Sequence, residues 1–215
     1  MEKVYSPSEE KANCFTHSLG IVLGLIAGFL LLQKAYELQN QPALVSIPFY
    51  LVGMLFSYVA STCYHATTNP IRKKYLRKVD HAAIYFHIAG SYTPFMVLIL
   101  GDVGYWSTSI LGVVWVFALI GTLVSVNKLE GHSYLETLCY VLMGLFALVA
   151  MKALWDSLQA SNQLDALYWL LGGGASFLVG ALCYSIYRIP YMHTVFHLFV
   201  LLGSVCHIIA MWNII

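Results

Sequence analysis

The sequence predicts an all-α, polytopic membrane protein, a bundle of seven transmembrane helices, and three observations carry that prediction. Hydrophobic residues make up 60% of the 215 residues and charged residues only 10%, whereas soluble globular chains hold roughly 45–50% and about 25%. Mean hydropathy is +0.74. The apolar residues gather into seven stretches, each near the roughly 20 residues of helix that cross a hydrocarbon core about 30 Å thick. A net charge of +1 gives no electrostatic footprint for a nucleic-acid partner.

The first span is expected from His17 to Tyr36. Before it lies a short polar lead-in, residues 1–15, in which Glu2, Lys3, Glu9, Glu10 and Lys11 leave no apolar run for a signal peptide. The second runs from Leu44 to His65 after a connection at Gln39 to Pro42, and the third opens at Asp80 and closes at Gly101 and Asp102. The fourth covers Trp106 to Val126, the fifth Tyr134 to Leu154 and the sixth Asp165 to Tyr187. The seventh follows Pro190, from Tyr191 to Trp212. Loops are short, and residues 1–215 read as a single integral membrane domain. Tyr105, Trp106, Trp169 and Trp212 are expected interfacial anchors. Gly172, Gly173, Gly174, Gly180 and Ala181 are expected to mark close helix packing in span six, with room for lipid as the alternative.

Lys and Arg set the orientation. Lys3, Lys11, Arg72, Lys73, Lys74, Arg77, Lys78, Lys128 and Arg188 fall on the amino-terminal side, against only Lys34 and Lys152 on the other. The positive-inside rule then puts the amino terminus in the cytoplasm and, with an odd number of spans, the carboxyl terminus outside.

That orientation gives depth to six polar residues. His17, Ser61, His65, Asp80, His193 and His197 all fall at the cytoplasmic ends of their spans, where burying an ionisable group is costly unless it is paired or coordinated. His193 and His197 are four residues apart, about 6 Å along the helix and on one face, so their imidazoles can share one metal ion. Ser61 and His65 repeat that spacing. Three neutral imidazoles with a water make an open, catalytic kind of zinc site. Asp80 either accepts a proton from such a water or caps its helix at the positive end of the dipole. Ser61 either hydrogen-bonds Asp80 or a substrate oxygen, or bonds back to its own helix.

At these residues the chain resembles the haemolysin III-type proteins, related to the progestin and adiponectin receptor proteins and, more distantly, to alkaline ceramidases. Ser61-Thr62-Cys63-Tyr64-His65 matches the serine-x-x-x-histidine motif. Asp80-His81, followed by Ile88-Ala89-Gly90-Ser91-Tyr92-Thr93-Pro94, matches the block of the third span, and His193-Thr194-Val195-Phe196-His197 matches the pair that opens the seventh. Glu10, Asn13, His17 and Gly20 join the likeness, which spans essentially the whole chain. The resemblance implies Zn2+ held by His65, His193 and His197 on the cytoplasmic side, with Asp80 on the bound water and Ser61 close by. By analogy it implies hydrolysis of a membrane lipid amide or ester, in the bacterial plasma (inner) membrane.

His17 is read as a partner around that site or as a plain interfacial residue. His87 and His207 lie too far along their helices to join it, and either pack against hydroxyls or line a polar route. Glu136 pairs with Lys128 or faces a cavity. Cys63 points away from His65, and the placing of the five cysteines argues against disulfides. Against the zinc hydrolase stand two other classes. One is a transporter, channel or membrane-state regulator with structural or sensory zinc. The other is a pore-forming lysin, which seven resident spans describe poorly.

Overall fold

A computed structural model describes residues 5–128, 134–186 and 188–215. Among these, the elements are all helical: α1 (Pro7–Glu37), α2 (Gln41–Ala66), α3 (Pro70–Leu100), α4 (Trp106–Lys128), α5 (Tyr134–Leu145), a 3-10 turn (Phe146–Ala150), α6 (Met151–Ala160), α7 (Leu164–Ser185) and α8 (Met192–Ile214). With α5, the 3-10 turn and α6 counted as one, seven helices are long and apolar enough to cross a membrane.

Two helices begin well before the expected spans. α1 starts at Pro7 because Ser6 caps it: the Ser6 side chain accepts from Glu9 N while the Glu9 carboxylate reaches back to Ser6 N at 2.9 Å, a closed capping box. Residues 7–15 of the expected lead-in are therefore helix, and Glu2 and Lys3 lie outside the described residues. α3 starts at Pro70, capped by the Asn69 side chain on Ile71 N and Arg72 N, each 3.0 Å. Asp80 therefore sits inside α3 and does not cap it. At the far side of the sixth span, α7 ends at Ser185, and Tyr187, expected to close it, lies outside the described residues.

The helices form a ring in which α1 packs on α2 and α8, α2 on α3, α3 on α4 and α7 on α8. α5 reaches both α3 and α7 and closes the circuit. α2 and α3 approach closely through reciprocal glycines: Gly53 lies against the Phe86 carbonyl and Gly90 against the Phe49 carbonyl, so neither has room for a Cβ. Span six splits the glycine expectation. Gly173 and Gly180 are packed against α8, whereas Gly172 and Gly174 face open space.

In the fifth span the 3-10 turn frees backbone groups that hydrocarbon cannot satisfy. Tyr92 of α3 supplies the partner, its hydroxyl shared between the Met143 and Gly144 carbonyls at 2.8 Å each while accepting from Ala147 N at 2.8 Å. Along the bundle, Leu31, Ile47, Leu100, Leu154, Leu158 and Met211 are buried in the half away from the start of α1, whereas His17, Ser61, His65, Asp80, His193 and His197 are buried in the half near it.

Alanine at Gly53 or Gly90 is expected to cost about 1–3 kcal/mol, seen as a lower thermal unfolding midpoint in detergent. Gly144→Ala, which meets nothing, is the control that should leave it unchanged.

Candidate metal centre

His65, on the last turn of α2, faces the first turns of α8, whose four-residue spacing puts His193 and His197 on the same side. One nitrogen from each of the three lies within 4.8 Å of the others, all are buried, and the group can hold a metal ion. His65 Nε2 and His193 Nε2 are 3.2 Å apart.

The outer edges of the rings are held by α1. Glu10 Oε2 accepts from His65 Nδ1 at 2.6 Å, and Glu10 Oε1 pairs with Lys73 Nζ of α3 at 2.8 Å. His197 Nδ1 lies 3.2 Å from the Asn13 carbonyl and 3.2 Å from Thr16 Oγ1. With Nδ1–H donated outward to these acceptors, His65 and His197 turn their Nε2 lone pairs into the shared space. The same face of α1 fastens the start of α8. Thr194 Oγ1 donates to Asn13 Oδ1 at 2.5 Å, and Glu9 Oε1 accepts from the N–H of Tyr191, a residue in the left-handed region at φ 61°. Tyr5, just before α1, packs its ring against His193 and His65, with centroids 5.0 and 5.9 Å away. Burial pushes its phenol pKa up, so it meets them as a neutral ring.

His17 stacks on His197 at 3.4 Å between centroids and meets Tyr58 edge-on at 5.1 Å. It is thus part of the cluster through ring packing, with neither nitrogen hydrogen-bonded among the described residues. Ser61 and Asp80 are buried, and with His17, His193 and His197 they form the polar head of a cavity of about 390 Å3. From that head the cavity runs between α3, α5, α7 and α8 over apolar side chains such as Ile88, Met96, Leu145 and Leu178.

Glu136 has partners among the described residues that the sequence reading did not name. It takes His81 Nδ1 at 2.9 Å and the Ser125 hydroxyl, tying α3, α4 and α5 together. The Lys128 side chain lies outside the described residues. His87 and His207 line the cavity below the head. Cys63 is exposed, and all five cysteines are free.

Sequence reading did not give Glu10, Asn13, Thr16, Lys73 or Tyr5 their structural roles. A signal existed: Glu9, Asn13, Thr16 and Gly20 recur at helical spacing on the buried side of α1, a polar stripe where an apolar one is the rule.

A multi-pass helical bundle carrying a buried three-histidine group is the class that fold and site define. Comparison with known proteins gives the family. The model of the haemolysin-III-related family matches residues 5–208. The chain is 34% identical to Hemolysin-3 of Bacillus cereus over 91% of its own length and 87% of that protein's. It is 35% identical to the Hemolysin-3 homolog of Bacillus subtilis (strain 168), over 94% and 92%. It is also 27% identical to the human monocyte to macrophage differentiation factor, over 97% and 86%. The chain belongs to the haemolysin-III-related family and is a multi-pass integral membrane protein.

Removing the anionic acceptor behind His65 should loosen the ring and lower its basicity. Glu10→Gln is expected to weaken binding of a divalent transition metal about 10–100-fold, titrated against a chromophoric chelator. Glu37→Gln, at the far end of α1, should bind as wild type does.

Proposed function

We propose that this protein is a zinc-dependent intramembrane hydrolase of a lipid amide or ester, working near the cytoplasmic face, with its amino terminus in the cytoplasm and its carboxyl terminus outside. The observation that carries the reading is the joining of two environments in one cavity. His193 and His197, two of the three histidines able to share a metal, stand at its head with a carboxylate and a hydroxyl, and apolar walls form its body.

The donor set fits zinc. Nitrogens about 2.0–2.1 Å from a tetrahedral centre stand roughly 3.4 Å apart, close to the 3.2 Å between His65 Nε2 and His193 Nε2. Glu10 and the Asn13 carbonyl fix the outer nitrogens as hydrogen-bond partners of a metal-ligating histidine are meant to do. Bound there, zinc supplies a Lewis acid and lowers the pKa of water to about 7.

The chain's own residues do the rest. His65, His193 and His197 offer three nitrogens and leave a position open. Asp80, buried at the cavity head, takes the proton of the attacking water and returns it to the leaving amine or alcohol. The Ser61 hydroxyl, buried within reach of Asp80, donates to the carbonyl oxygen on which charge develops. The volume of about 390 Å3 lies within the roughly 300–1,000 Å3 of small-molecule sites. Its walls take the hydrocarbon part of a lipid and keep bulk water from the reacting carbonyl.

Asp80→Ala is expected to keep its full complement of zinc by elemental analysis while losing turnover of labelled amide and ester lipids. Turnover at the wild-type rate in that variant, or none by wild type on any lipid of either class, contradicts the proposal.

A further inference from the structure

His87 of α3 and His207 of α8 lie deeper in the same cavity and belong to neither the metal group nor an ion pair among the described residues. They are 6% and 7% exposed, and both line the cavity. His87 stands seven residues beyond Asp80 and His207 ten residues beyond His197, about 10 and 15 Å farther along their helices. Both rings meet Phe177 edge-to-face, at 6.1 and 5.2 Å between centroids. The two thus share an aromatic neighbour on α7, while His87 also meets Tyr50 and Tyr58 and His207 meets Phe95.

Each ring carries a nitrogen with nothing to bond. His87 Nε2 and His207 Nδ1 are buried and make no hydrogen bond among the described residues, a costly arrangement in apolar surroundings unless something else answers them. The fold nevertheless makes room for it. The His207 ring rests on Gly173, where a Cβ would collide with it, and the next residue, Gly174, faces open space along the cavity. A neutral imidazole offers one donor and one acceptor, and a hydroxyl is the group that can answer either kind.

We propose that His87 and His207 form a hydrogen-bonding subsite for a hydroxyl group borne midway along an apolar chain, so that the cavity selects lipids with a mid-chain-hydroxylated acyl group. The proposal rests on the lipid reading above and adds the substrate class to it. The polar head holds the reacting carbonyl, and the two histidines, about two to three helical turns beyond Asp80 and His197, read the chain that trails from it.

The test is equilibrium binding of stearate and of its mid-chain hydroxylated analogue to the full chain in detergent, by competition with a fluorescent fatty acid. Wild type is expected to bind the hydroxylated chain about tenfold more tightly. His87→Phe and His207→Phe should abolish that preference while binding stearate at least as well as wild type, which also reports that they fold. His87→Gln, which keeps a donor and an acceptor, should retain part of the preference. Equal affinity of wild type for the two chains, or a preference that survives in both phenylalanine variants, overturns the subsite and leaves the lipid reading standing. Binding of neither chain by wild type removes both.

Discussion

Four imidazoles occupy one buried pocket at the start of the bundle, with His17, His65, His193 and His197 in ring contact at 3.4 to 5.2 Å. So many rings cannot carry charge together in hydrocarbon surroundings. Rings that are to share a metal must each present a lone pair, so something must set which nitrogen keeps its proton. The first turns of α1 give that instruction. Glu10 takes the outer N–H of His65, Asn13 takes that of His197, and the lone pairs converge. The capping box at Ser6, the Glu10–Lys73 pair and the hold of Glu9 on Tyr191 N all serve to seat this stretch of helix. The polar half of the molecule is built around that seat.

The apolar half answers a different constraint. Every backbone group must be satisfied without water, yet a cavity must remain. α2 and α3 meet so tightly that glycines replace side chains between them, and that rigid pair gives Ser61, His65, Asp80 and His87 their fixed positions. On the opposite wall the fifth span is broken by a 3-10 turn and sewn to α3 by the Tyr92 hydroxyl. Gly144 and Gly174 there leave space unfilled. Rigidity where the polar groups stand and openness where a chain would lie follow from the same packing.

Much of this was legible in the sequence. Hydropathy and length define seven spans because lipid imposes one length on every helix. Depth and four-residue spacing single out His65, His193 and His197. The starts of α1 and α3 were not legible from hydropathy, since both helices run on through polar residues beyond the apolar stretch, and only the Ser6-Pro7 and Asn69-Pro70 caps mark them. Contacts between residues far apart in sequence, Glu10 with His65 and Glu136 with His81, depend on which helices become neighbours. Periodicity within a single helix carries no record of that, although the polar stripe on α1 shows that its partner face is polar too.

Everything chemical in this reading depends on three histidines from α2 and α8 sharing one metal ion. Elemental analysis of the full chain purified in detergent without chelator, beside His65→Ala and His193→Ala, tests it most directly. About one zinc per chain in wild type, lost in both variants, is the expected result. Metal-free wild type, or zinc that persists when either histidine is removed, would contradict it.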